Sequence, residues 1–163
     1  MSTEIVYPSE RYFKSFHDAL STVAKERIYI EMIEAPSLEK VSSFQSSLIS
    51  KNGPVYYAIN NDRVVGWCDV FPDENPRQNH RGGLGMGLLP EFRGQGLGSK
   101  LLSAVLDHAK KFGLEKVELN VYTSNTPAVA RTGLQRDSFH RFTGTRGTAN
   151  AGIKRDIFRL SIG

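Results

Sequence analysis

The chain has 163 residues, 39% of them apolar and 23% charged, with a formal net charge of +4, values that suit one soluble domain spanning 1–163 around one core. No stretch nears the roughly 20 apolar residues of a membrane span, and the polar start from Met1 to Glu10 lacks the apolar stretch of a secretory signal, so no membrane partner is expected. Cys68 is the only cysteine, which excludes an internal disulfide, points to the cytoplasm, and reads as a buried structural thiol in the apolar run Val64–Cys68.

The charge is uneven. Residues 131–163 carry seven Lys/Arg against Asp137 and Asp156, a local excess of +5 that leaves −1 on residues 1–130. Such an excess suits an anionic ligand or a solvated basic surface. No zinc-finger spacing and no compact basic run occur, so neither a metal nor a nucleic acid is expected.

In chain order, Ser9 is placed to cap a helix whose apolar stripe is Tyr12, Phe13, Phe16, Leu20 and Val23, near the 3.6 period. A second helix starts at Pro36-Ser37, carries Leu38, Val41, Phe44, Leu48 and Ile49, and stops at Asn52-Gly53-Pro54. Val55–Ile59 and Val64–Val70 read as a hairpin around Asn60-Asn61-Asp62-Arg63. A polar loop, Pro72–Arg81, precedes a strand over Gly82–Leu89, whose four glycines mark a close approach by another backbone or a ligand. A helix with Leu97, Leu101, Leu102, Val105, Leu106 and Ala109 on one face closes at Gly113. Val117, Leu119 and Val121 alternate as a strand, Pro127 opens a short helix, and strands near Phe139–Thr143 and Ile157–Ile162 end the chain. The strand–helix–strand unit from 82 to 122 is expected to be a right-handed crossover with parallel strands. Hairpins elsewhere make the sheet mixed.

The segment that carries chemistry is Leu88-Leu89-Pro90-Glu91-Phe92-Arg93-Gly94-Gln95-Gly96-Leu97-Gly98. A strand ends, Pro90 blocks its continuation, and alternate glycines lead into a helix. Exposed amides at a helix N-terminus form an anion cradle, and glycines let a pyrophosphate come close to the backbone. Arg93 adds donors suited to phosphate oxygens. A Walker A loop is excluded because Ser99 precedes Lys100 and Leu101 follows it. A dinucleotide fingerprint starting at Gly94 fails because Ser99 stands where its third glycine belongs.

Arg93-Gly94-Gln95-Gly96-Leu97-Gly98 resembles the Q/R-x-x-G-x-G/A motif of the GNAT superfamily of N-acetyltransferases. Pro90 and Leu101-Leu102 stand in the usual flanking places. The likeness extends upstream to Val64-Val65-Gly66-Trp67 and downstream through Val117–Val121 to Asn125 and Ala128. It implies an α/β (α+β) fold with a mixed, mostly antiparallel central sheet, a splayed parallel strand pair and flanking helices. It also implies acetyl-CoA as co-substrate and an amine as acceptor. The pantetheine arm would lie along the backbone at Met86 and Leu88. The pyrophosphate would meet the segment Arg93, Gly94, Gln95, Gly96, Leu97, Gly98 and Ser99, and Asn125 would touch the cofactor. The oligomeric state stays open, a homodimer included.

One departure matters. Counted from Asn125, the position where the family usually has its acid tyrosine holds Thr132, and the Gly-Phe that follows is missing at its place. Tyr122 is the substitute acid. For the base, Glu34 is preferred, with Glu31 and His80 as other candidates. A backbone amide near Leu88 is the natural donor to the thioester oxygen. Two functions follow from the resemblance: acetyl transfer to a primary amine by direct attack, or a degenerate sensor that binds acyl-CoA without turnover; a third reading, a basic nucleic-acid-binding domain, rests only on the charge excess after residue 130.

Overall fold

The computed structural model describes residues 2–26, 35–122, 139–143 and 155–162. Chain order runs β1 (Glu4–Val6), a 3-10 turn (Glu10–Tyr12), α1 (Phe13–Lys25), α2 (Leu38–Ser50), β2 (Val55–Asn60), β3 (Arg63–Pro72), β4 (Arg81–Leu88), a 3-10 turn (Pro90–Phe92), α3 (Leu97–Phe112), β5 (Lys116–Tyr122), β6 (Phe139–Thr143) and β7 (Arg155–Ser161). The short helix expected at Pro127 lies outside the described residues.

Local chemistry explains most of these boundaries. Ser9 stands in extended backbone at the first entry, but its side chain caps nothing. A 3-10 turn intervenes, and the Ser9 carbonyl accepts from the Tyr12 amide at 3.1 Å. Ser37 does cap α2, its side chain accepting from the Lys40 amide at 3.3 Å. That helix ends where Asn52 turns to φ 55 and the Gly53 amide returns to the Leu48 carbonyl at 2.8 Å. Between β2 and β3, Asn61 (φ 49) and Asp62 (φ 60) form the two-residue left-handed turn that matches strand twist.

Among the described residues, seven strands lie in the order β1-β2-β3-β4-β5-β7-β6. Only β4 and β5 run parallel, and every other pair is antiparallel. Helices cover both faces. Trp67 packs edge-on against Phe16 of α1 at 5.4 Å, whereas a Cβ on its neighbour Gly66 would face Leu101 of α3. Successive strand residues point to opposite faces, so α1 and α3 lie on opposite sides. Phe16, Val23, Tyr57, Trp67, Leu101 and Val105 are buried between these layers. Removing that apolar surface from water is the main stabilising term.

Two of the β4 glycines have a reason on the neighbouring strand. On β3, Trp67 stands opposite Gly87, Asp69 opposite Gly85 and Phe71 opposite Gly83. A Cβ on Gly87 would meet the Trp67 ring at 2.3 Å, and one on Gly85 would meet Asp69 Oδ1 at 2.7 Å. Neighbouring side chains require glycine at those two positions.

Candidate active site

The parallel ladder is short. Arg81–Leu84 pair with Lys116–Leu119, and there the pairing of β4 with β5 stops. Both strands continue. Gly85–Leu88 stay paired with β3, and Asn120–Tyr122 with β7. The sheet is therefore open between the C-terminal halves of β4 and β5. An unpaired strand edge is a template for an extended group that brings its own donors and acceptors.

The open edge leads straight into the glycine turn. Gly94 (φ 78) and Gly96 (φ 82) are both left-handed, a conformation that costs other residues about 1–2 kcal/mol. Gly94, Gln95 and Gly96 are exposed. A Cβ on Gly96 would find nothing within 4 Å, so the space above this backbone is free. The first backbone bond of α3 runs from the Lys100 amide to the Gly96 carbonyl at 3.2 Å, so the amides of Leu97, Gly98 and Ser99 have no acceptor within the helix. Together with the positive end of the α3 dipole they make an anion site. Leu97 buries its side chain in the core, and the Gln95 side chain returns to the Glu91 carbonyl at 3.2 Å.

Arg93 is engaged within the chain. Its guanidinium forks onto Glu26 with bonds of 2.9 and 2.8 Å. It also donates twice to the Leu88 carbonyl, at 3.0 and 2.8 Å. Arg93 and Glu26 are both about three-quarters buried, and a bidentate pair of this kind is strong. Arg93 thus ties the end of β4 to the residue after α1. The Arg93 amide reaches the Pro90 carbonyl at 3.3 Å.

Residues 15–131 match the family model described as the acetyltransferase (GNAT) family. The chain belongs to that family. Among curated proteins, N-alpha-acetyltransferase 30 of Schizosaccharomyces pombe is 32% identical over 76 residues, 46% of this chain and 51% of that protein; the chain spans about half the length of the curated relative it matches. Among solved structures, yncA of Salmonella typhimurium, determined with acetyl-CoA, superposes with a TM-score of 0.87 at 14% identity, covering 100% of this chain and 95% of the other. A GNAT phosphinothricin acetyltransferase from Sinorhizobium meliloti, in complex with acetyl-CoA, gives 0.85 at 15% identity, over 100% and 90% of the two chains. The mixed sheet with one parallel pair is the fold of this group.

Against the GNAT frame, the expected residues fall into four groups. Met86 and Leu88 lie on β4 along the open edge, and residues 93–99 form the turn and the start of α3. Tyr122 ends β5 with its backbone opposite Arg155. Glu31, Glu34, Asn125 and Thr132 lie outside the described residues. His80 is brought to the wrong end: it precedes Arg81, about 25 Å of strand away from Leu88 at the usual rise. There its carbonyl accepts from the amides of Glu115 and Lys116 at 2.8 and 3.2 Å.

The structure also shows a buried polar chain that no motif announces. Tyr57 donates to Gln45 Oε1 at 2.6 Å, and Gln45 Nε2 donates to Asp69 Oδ2 at 3.2 Å. All three residues are buried. Desolvation pushes the Asp69 carboxyl up to about 7, opposed by its bonds from Gln45 and the Gly85 amide. The available signal was one acidic residue inside the otherwise apolar run Val64–Val70. Cys68 beside it is fully buried, and burial followed by Asp69 raises its thiol well above the usual range, which suits a structural thiol.

Proposed function

We propose that this chain is an N-acetyltransferase that moves the acetyl group of acetyl-CoA to a primary amine of a peptide or small molecule by direct attack. The observation that carries this reading is the junction of an interrupted parallel ladder with an exposed, left-handed glycine turn at the N-terminus of α3. The open edge at Met86 and Leu88 offers strand-like backbone to a pantetheine arm. The turn offers amides to a pyrophosphate at the distance only glycine allows. Both groups belong to one elongated ligand, and a strand edge followed directly by an amide turn supports two sites in succession along the backbone.

In this reading the protein's task is to hold amine and thioester together and to take one proton from the ammonium. Glu34 and Tyr122 stand as the proposed base and acid from sequence. A thiol leaves with little acid assistance because its pKa is near 8.5, so Thr132 at the family's usual tyrosine position does not forbid turnover. That same threonine favours a second reading, a binder of acyl-CoA without turnover. Peptide α-amines are the first acceptors to try, given the N-alpha-acetyltransferase relative.

The deciding experiment follows release of free CoA from acetyl-CoA with a panel of peptide α-amines, lysine side-chain peptides, polyamines and amino acids. Amine-dependent CoA release with matching acetylated product is expected. Tight acetyl-CoA binding with no release for any class would favour the sensor.

A further inference from the structure

Asp69 occupies a telling place in the fold. It lies opposite Gly85 on β4, and Gly85 is the first β4 residue beyond the β4–β5 ladder. The carboxylate sits where a side chain of residue 85 would otherwise stand, since a Cβ there would be 2.7 Å from Asp69 Oδ1. It therefore faces the point where the sheet opens. Its hydrogen-bond network draws on α2, β2 and β4. Gln45 of α2 donates to it, Tyr57 of β2 donates to Gln45, and the Gly85 amide of β4 bonds it as well. The direction of donation along Tyr57–Gln45–Asp69 fixes the Gln45 amide and aims its NH2 at the carboxylate.

The titratable groups on which Asp69 acts are Tyr57 and Cys68. Both have raised pKa values, burial first and Asp69 second, so both stay neutral near pH 7. Asp69 is 4% exposed, and these neighbours bring it no positive charge. A buried carboxylate without a cation is costly, so the group takes up a proton in preference to staying charged. An acceptor amine arrives as an ammonium.

We propose that Asp69, in place of Glu34, is the proton acceptor of the transfer, taking one proton from the acceptor's ammonium at the start of the β4–β5 opening. The proposal rests on the acetyltransferase reading. The ammonium gives its proton to the carboxylate, and the neutral nitrogen then attacks the thioester carbon and forms the C–N bond. The C–S bond breaks with its electron pair on sulfur. The nitrogen loses its extra proton to the thiolate, giving amide and CoA thiol, and Asp69 returns its proton to solvent. A base whose pKa lies near the working pH is the effective kind, and burial places Asp69 in that range.

The test uses the full chain, acetyl-CoA and the amine panel in three measurements: calorimetric acetyl-CoA affinity, CoA-release rate from pH 5.5 to 9, and thermal unfolding. Asp69→Asn is expected to bind acetyl-CoA within about twofold of wild type and to lose on the order of 100-fold in rate, together with the acid limb near pH 7. Gln45→Met removes a bond that holds the Asp69 pKa down, so its acid limb moves to higher pH while the alkaline plateau survives. A purely structural Asp69 would leave that limb in place. Unchanged rate and limb in Asp69→Asn would overturn the proposal, as would an unmoved limb in a folded Gln45→Met. A wild type that binds acetyl-CoA but transfers to no amine would overturn it too. Failure of the underlying reading is distinct because it shows in the wild type itself: no amine-dependent CoA release, with or without acetyl-CoA binding.

Discussion

Arg93 shows how a single residue can match a motif and serve it indirectly. The sequence suggests a guanidinium free for phosphate, yet the side chain is shared between Glu26 and the Leu88 carbonyl. Arg93→Ala is therefore expected to lower folding stability by about 1–3 kcal/mol, the usual effect of stranding a partly buried charged partner, and to weaken acetyl-CoA binding as well. Glu26→Gln separates the two roles. If Arg93 acts by positioning, this change loosens the turn and weakens binding; tighter acetyl-CoA binding in the variant would mean that Glu26 merely competes with phosphate. At Asp69 the prediction concerns pH. Its folded pKa is raised from 3.8 to about 7, so the folded state holds the proton more tightly than the unfolded chain. The resulting stabilisation is present at low pH and is lost as pH rises through about 7. Urea unfolding should find the wild type less stable at pH 8 than at pH 4.5, by on the order of 3 kcal/mol from this group. Asp69→Asn should show a flatter profile, and an identical slope in both proteins would contradict the assignment.

Element by element, the glycines of β4 give a matched pair of tests. Gly87→Ala drives a Cβ into the Trp67 ring, which is already packed on Phe16, and should cost about 1–3 kcal/mol in urea unfolding. Gly83→Ala meets nothing within 4 Å and should be neutral or stabilise by up to about 1 kcal/mol, because glycine inside a strand is entropically unfavourable. In the β2–β3 turn, Asp62→Gly should relieve a left-handed residue and stabilise by about 0.5–1 kcal/mol. The exposed Arg11–Asp62 pair contributes little against that gain. Much of this scale was legible in the sequence. Asn-Asn-Asp and alternating apolar residues announce the hairpin, Ser37 announces α2, and Pro90 with its glycines announces the turn into α3. What stayed hidden depends on contacts between distant strands. The reason for Gly85 and Gly87 lies on β3, and Glu26 meets its partner 67 positions away. The strand Glu4–Val6 is only three residues long, too short for a period to show, and it forms because Tyr57–Ile59 offer it an edge.

Across the whole molecule, the mixed sheet brings an edge without a partner and a turn without side chains to one junction, between helices that cover both faces. The family likeness reaches that junction through the motif at 93–98, and geometry supplies what the motif omits: both glycines at 94 and 96 are left-handed, and the ladder ends at Leu84. Among the described residues no helix is long and apolar enough to cross a membrane. The central claim is that this junction holds acetyl-CoA, and calorimetric titration of wild type and Gly96→Val side by side tests it most directly. Valine at φ 82 should cost about 1–2 kcal/mol of stability, which a thermal scan will register, and should leave a folded protein. Saturable binding in the wild type, weakened at least tenfold in a folded Gly96→Val, is the predicted result; no binding by the wild type, or equal affinity in the two proteins, would contradict it.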